Sequence, residues 1–260
     1  MIQICGKRYT PQYFPDGTLR LDCGDLDGNV EIEWRYESNE EMIILYFLFS
    51  HMREVLKIDQ ITLCLPYIPN ARMDRVKADS EVFTLKYFCR FINDMKFDRV
   101  FVRDAHSNVS LALLDRVESE QIQPKLHALS ERLLVNDTDI LFFPDEGSGK
   151  RYADYFQRKY LFGAKKRDWA TGTILGLDVV GEVPTASFNV LIVDDICSFG
   201  GTFYHSAKKL RELGADKIWL YVTHCENNIL SGELLTSCLI DKVFTTASIF
   251  TAEHPFIEVI

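Results

Sequence analysis

The sequence predicts an α/β protein of two domains, each a mainly parallel sheet flanked by helices. Three observations carry that reading. Short runs rich in Val, Ile, Leu and Phe recur along the chain, and several are apolar at consecutive positions, as strands covered on both faces require. Stretches with helical patterning separate them, which is the β–α alternation of parallel sheets. The 260 residues are comfortable for two domains of about 100–150 residues each.

The predicted strands are residues 19–23, 30–35, 61–65, 100–103, 140–143, 190–193, 218–222 and 243–245. Ser38 and Glu41 have capping-box spacing, so a helix is expected to start there and reach about Lys57. It contains the longest apolar run, Met42 to Phe49, which is far short of the roughly 20 residues a membrane span needs and reads as a buried helix. A second helix is expected from Val82 to Met95. A third opens after Gly201 and ends near Leu213, with Gly214 as its stop. Pro124 lies between two patterned halves and puts the domain boundary at 122/123. There is no internal repeat, low-complexity tract or Gly/Ser linker.

Composition narrows the function classes. The chain is 47% hydrophobic and 26% charged, which is ordinary for a globular protein, and its net charge is −9. That balance argues against a nucleic-acid partner and requires the few cations to gather wherever an anion binds. The seven Cys, at 5, 23, 64, 89, 197, 225 and 238, form no CxxC and no zinc spacing. They suit reduced thiols in the cytoplasm. The amino-terminal residues lack the apolar stretch of a signal peptide, and neither export nor a membrane partner is expected.

In open α/β sheets ligands bind beyond the carboxyl ends of the strands. The strongest candidate there is Val190-Leu-Ile-Val-Asp-Asp-Ile-Cys-Ser-Phe-Gly-Gly-Thr-Phe203. Asp194 and Asp195 can accept hydrogen bonds from the vicinal hydroxyls of a sugar. Gly200 and Gly201 let backbone approach an anion at the start of a helix, and Thr202 adds a hydroxyl. The loop suits a ribose carrying a 5-phosphate. From spacing alone, a Gly-rich turn with no ligand remains the bland alternative. Gly147-Ser-Gly-Lys150 lacks the spacing of a P-loop.

The segment resembles the phosphoribosyl-pyrophosphate signature of type I phosphoribosyltransferases and of ribose-phosphate pyrophosphokinases. Four further stretches resemble the pyrophosphokinases specifically: Phe14-Pro-Asp-Gly17, Pro66-Tyr-Ile-Pro-Asn-Ala-Arg-Met-Asp-Arg75, Asp104-Ala-His-Ser107 and Pro144-Asp-Glu-Gly-Ser-Gly149. The resemblance implies two phosphoribosyltransferase-like domains, ATP as co-substrate, Mg²⁺ and at least a homodimer. It also implies roles. Phe14, Asp16, Arg72, Asp74 and Arg75 would contact ATP, while His106 and Asp145 would help hold Mg²⁺. Lys165 and Arg167, in a mobile loop, would stabilise the transition state. Asp194, Asp195, Ser198, Phe199, Gly200, Gly201 and Thr202 would hold the ribose phosphate. His224, after the strand 218–222, either lines the cleft or belongs to the core.

Two departures from the family pattern stand out. The initial strand and helix are abbreviated. In the sugar-phosphate loop the family reads Asp-Asp-x-x-Asp-Thr-x-Gly-Thr, whereas Ser198 replaces an Asp here and Phe199 a hydroxyl donor. The expected reaction is diphosphoryl transfer from ATP to the anomeric hydroxyl of ribose 5-phosphate. The alternatives are the same chemistry on a 5′-substituted ribose such as ADP-ribose, a phosphoribosyltransferase, or a non-catalytic synthetase-associated subunit.

Overall fold

A computed structural model describes residues 1–167 and 174–260, with the side chains of 165–176 left aside. The chain divides into two compact units, Met1–Gln121 and Ile122–Ile260.

The first unit comprises β1 (Ile2–Ile4), β2 (Lys7–Arg8), β3 (Gln12–Tyr13), β4 (Leu19–Arg20), β5 (Asn29–Trp34), α1 (Glu40–Glu54), β6 (Gln60–Leu65), α2 (Thr84–Met95), β7 (Arg99–Arg103), α3 (Asn108–Leu113) and β8 (Val117–Glu120). Its sheet runs β2-β1-β5-β6-β7-β8. β5 through β8 are parallel, and β1 and β2 add an antiparallel edge. Ile32, Ile61 and Leu63 of the sheet bury against Leu45 and Met52 of α1 and Leu85 and Phe88 of α2.

Two expectations change in this unit. The predicted strand over 19–23 shrinks to β4, which pairs with β3. The helix expected at Ser38 begins at Glu40, and no side chain caps it. The Glu41 carboxylate is taken instead by Trp34 Nε1 at 2.9 Å, the Glu37 N–H at 2.8 Å and the amino terminus. The apolar run within α1 is also only half buried. Leu45, Leu48 and Phe49 face the core, while Ile43, Tyr46 and Phe47 face outward.

The second unit comprises α4 (Gln123–Leu133), β9 (Ile140–Phe143), α5 (Glu146–Tyr152), β10 (Tyr160–Arg167), β11 (Ile174–Val180), β12 (Phe188–Cys197), α6 (Gly201–Glu212), β13 (Ala215–Cys225), β14 (Lys242–Thr245) and β15 (Ile257–Val259). The sheet order is β11-β10-β9-β12-β13-β14-β15, parallel except for the β10–β11 pair. Alternate residues of its central strands feed two cores, one per face. Ile140, Phe142, Val190, Ile192 and Leu220 pack with Phe203, Ala207 and Leu210 of α6. Leu141, Phe143, Leu191, Val193 and Tyr221 pack with Leu126 and Leu129 of α4 and Tyr152 of α5. Burial on both faces is what the uninterrupted apolar runs demand.

Pro124 occupies the first turn of α4, where its missing N–H costs nothing. Among the described residues, no helix is long and apolar enough to cross a membrane.

Candidate active site

The central strands of the second sheet end unequally, and that inequality opens a site. β9 stops at Phe143, whereas β12 continues to Cys197 on its ladder with β13. The last register pair between β9 and β12 is Ile192 with Phe142. Asp194 and Asp195 therefore lie within β12, not past its end, but beyond the carboxyl end of β9. There they face the turn that carries Pro144 and Asp145.

Asp145 caps α5. Its Oδ1 accepts from the Ser148 N–H at 3.0 Å, and Ser148 Oγ accepts from the Asp145 N–H at 3.4 Å. A Cβ at Gly163 of β10 would sit 2.7 Å from the Pro144 carbonyl oxygen. Glycine there lets β10 pack directly beneath the turn. Further along α5, the Arg151 guanidinium lies 3.0 Å from the buried Asp195 carboxylate. Asp194 Oδ1 accepts from the Asp195 N–H at 3.0 Å. Burial, then the neighbouring charges of Asp195 and Asp145, push the Asp194 carboxyl well above the usual range. Three carboxylates and one guanidinium thus share this edge, and a diol or a hard cation would relieve the repulsion.

The turn after β12 is built from main chain. Gly200 is left-handed, at φ +83°, and no side chain caps α6 behind it. Gly201, the first residue of α6, is exposed, and a Cβ there would meet no heavy atom within 4 Å. Such a helix start attracts an anion. Ser198 donates its hydroxyl to Glu226 Oε2 at 2.6 Å, and Asn228 Nδ2 donates to the same oxygen at 3.1 Å. The Phe199 ring is 57% exposed.

Beneath the turn, Cys197 and Cys225 are register partners and fully buried. A hydrogen bond that its S–H makes to Cys225, followed by burial, raises the Cys197 thiol well above its ordinary value. His224 is 1% exposed, with Nδ1 2.9 Å from Ser248 Oγ. It belongs to the core.

The remaining candidates sit on the first unit. Arg72, Asp74 and Arg75 follow β6, and His106 follows β7, so both segments occupy the carboxyl edge of neighbouring parallel strands. Arg75 is exposed and 3.8 Å from Asp74. Asp104 holds a positive φ of 41° in the turn before His106, and the buried Ser107 hydroxyl has no hydrogen-bond partner among the described residues. Strain and an orphaned hydroxyl both mark a place where a ligand could bond. Phe14 is half exposed at the tip of the β3–β4 hairpin. Asp16 accepts from the Thr18 hydroxyl at 2.7 Å and its N–H at 2.9 Å, which lowers its carboxyl.

Lys165 and Arg167, expected in a loop, are instead on β10. They pair with Leu177 and Ile174 of β11, with a bulge between Lys166 and Arg167. Their side chains lie outside the described residues.

Among the described residues, no group of three or more His, Cys, Asp or Glu side chains is arranged to hold a metal unaided. The oxygen-rich edge at Asp145, Asp194 and Asp195 nonetheless fits Mg²⁺, which usually takes one or two carboxylates and completes its shell with substrate phosphates and water. The sequence reading missed Arg151 and Glu226. A usable signal existed for the second, since it directly follows the carboxyl end of β13.

No family model matches the chain. Curated relatives do. A ribose-phosphate pyrophosphokinase of Pyrococcus furiosus is 28% identical over 223 residues, covering 81% of this chain and 75% of the relative. One from Sulfurisphaera tokodaii is 25% identical and covers 91% of this chain and 82% of its own length. The phosphoribosylpyrophosphate synthetase structure from Mycobacterium smegmatis shares the fold. Its TM-score is 0.81 at 20% identity, covering 97% of this chain and 85% of that one.

Proposed function

We propose that this chain, a divergent homologue of the ribose-phosphate pyrophosphokinases over four-fifths of its length, transfers the β,γ-diphosphoryl group of ATP to the C1 hydroxyl of ribose 5-phosphate. The products are 5-phosphoribosyl 1-diphosphate and AMP. The observation that carries this reading is the edge of the second sheet. An acidic pair beyond the end of β9 is followed by the open, uncapped amino end of α6.

Each group has a task. Asp195, paired with Arg151, accepts hydrogen bonds from the ribose hydroxyls. Asp194, next to it in the strand, is assigned to the same diol. The N–H groups of Gly201 and Thr202 receive the 5-phosphate. Such transfers rest on positioning and charge stabilisation rather than covalent catalysis. Lys165 and Arg167 are assigned, through the family resemblance, to the charge that develops on the transferred group and the leaving oxygen. Arg72, Asp74, Arg75, Phe14 and Asp16 are assigned to ATP on the same ground. Mg²⁺ is assigned to His106 and Asp145 through the same resemblance and would supply charge neutralisation along the phosphates.

We also propose a homo-oligomer in the cytoplasm. The outward apolar residues Ile43, Tyr46, Phe47 and Tyr87 support the first, and seven free thiols support the second. The activity test is direct. The pure protein with ATP, Mg²⁺ and ribose 5-phosphate should release AMP in step with phosphoribosyl diphosphate. If AMP release does not depend on the sugar, the reading is wrong.

A further inference from the structure

The loop that should receive the 5-phosphate carries a carboxylate. Glu226 leaves the end of β13 beside the end of β12, because Cys225 and Cys197 are register partners. From there it accepts the Ser198 hydroxyl at 2.6 Å. Two consequences follow. The Ser198 hydroxyl proton points to Glu226 and is withdrawn from any phosphate. A negative group also stands on the wall of an anion site whose own segment, Ser198 to Thr202, contains no Lys or Arg. The helix start offers only about half a positive charge. A terminal phosphate monoester brings about −1.5 to −2 at neutral pH, whereas an esterified phosphate brings −1.

The second observation is independent of charge. Phe199 shows an exposed ring on main chain that is pinned from two sides. A Cβ on Gly232 would lie 1.9 Å from the Phe199 carbonyl oxygen, so the two main chains are in direct contact. A Cβ on Gly200 would lie 2.9 Å from the Leu234 side chain. An apolar ring carried on fixed main chain and left in water at the mouth of a sugar site is a stacking platform.

We propose that the 5′ end of this site takes a ribose 5-phosphate whose phosphate carries a further substituent, above all one ending in a planar group such as a nucleoside. Glu226 and Ser198 select against a terminal dianion, and Phe199 stacks on the planar group. The inference rests on the diphosphoryl-transfer reading and widens its acceptor. The bond changes are those of that reaction: the C1 oxygen bonds to the β-phosphorus, the bond to AMP breaks, and the C1 hydroxyl proton is released.

Three acceptors separate charge from stacking: ribose 5-phosphate, its 5-methylphosphate ester and ADP-ribose. AMP release with Mg²⁺ and ATP gives kcat/KM for each. The methyl ester should exceed ribose 5-phosphate by about tenfold, from one extra charge in partly screened surroundings. ADP-ribose should gain about a further tenfold from stacking. Glu226→Gln should cut the ester-to-monoester ratio about tenfold, and Phe199→Ala should cut the ADP-ribose-to-ester ratio about tenfold. Because each readout is a ratio within one preparation, a partly folded variant does not distort it. Ribose 5-phosphate outranking both esters, with neither ratio moved by its substitution, overturns the inference and leaves the pyrophosphokinase reading standing. AMP release from none of the three overturns both.

Discussion

Gly232→Ala isolates the placement of the sugar-phosphate loop from its chemistry, because Gly232 touches that loop only through main chain. It ends the short turn Asn227–Ser231, and its φ of −89° is open to any residue, so alanine brings no backbone strain of its own. The added Cβ would lie 1.9 Å from the Phe199 carbonyl oxygen, 2.9 Å from the carbonyl carbon and 3.4 Å from its Cα. An ordinary carbon–oxygen contact is about 3.3 Å, so the two segments must separate by roughly 1.4 Å. No flexible side-chain tip is available to yield, since the opposing atoms are main chain. Overpacking of this kind costs about 1–3 kcal/mol. A displacement of about 1 Å at a reacting group costs about 10²-fold in rate. At saturating ATP, kcat/KM for the sugar acceptor should fall about 10²-fold, while the KM for ATP stays within about threefold. The denaturation midpoint should drop by the overpacking cost. Wild-type acceptor kinetics in a folded variant would show that the loop is not held by Gly232. An equal loss toward ATP and acceptor would mean that the displacement is global.

Three further outcomes are expected. Asp241 resists the upward pull of its own burial because the Ile218 N–H at 2.9 Å, Lys217 Nζ at 2.8 Å and Arg211 Nη2 at 3.0 Å hold its carboxyl below the usual range. A depressed carboxyl contributes stability above its unfolded pKa and loses it as pH falls through the folded value. Asp241→Asn should therefore cost about 1.5–3 kcal/mol in urea unfolding at pH 7 and clearly less at pH 3; an equal gap at both would exclude the charge. Arg151→Gln leaves Asp195 beside Asp194 without its counter-charge and should raise the acceptor KM about tenfold, with ATP binding by calorimetry unchanged. Lys165→Ala should lower turnover about 10³-fold and leave ATP affinity largely intact; parallel loss of both would mean that the lysine binds ground-state nucleotide instead.

What could be read from the sequence follows from how each element is buried. Residues 140–143 are apolar at every position because β9 is covered on both faces, and that run is unmistakable. β8 reads Val-Glu-Ser-Glu because it is an edge strand with one wet face, so its pattern resembles a loop. The β10–β11 pair was hidden for the same reason, since Gly163 and the basic run after Ala164 interrupt its apolar signal. β12 appeared to stop at Val193 because Asp194 and Asp195 break the pattern, yet its ladder with β13 continues for four more residues to Cys197. Ser38 and Glu41 have the spacing of a capping box, but no side chain caps α1, because Trp34 and the amino terminus take the Glu41 carboxylate.

The site divides along the same line. Asp194, Asp195, Gly200, Gly201 and Thr202 are adjacent in sequence, and their chemistry shows there. Arg151 and Glu226 matter only through register. One reaches Asp195 because α5 is capped at Asp145 and runs back along β12, and the other reaches Ser198 because Cys197 opposes Cys225. Neither pairing has a sequence signature. The consequence for function is unequal. Arg151 supplies a counter-charge to the Asp194–Asp195 pair in a chain of net charge −9. Glu226 adds a carboxylate beside the turn proposed to receive the phosphate. On the reading proposed above, a carboxylate hydrogen-bonded to Ser198 disfavours a terminal dianion there. Glu226 and the exposed Phe199 ring are the two halves of the selection proposed at the 5′ end.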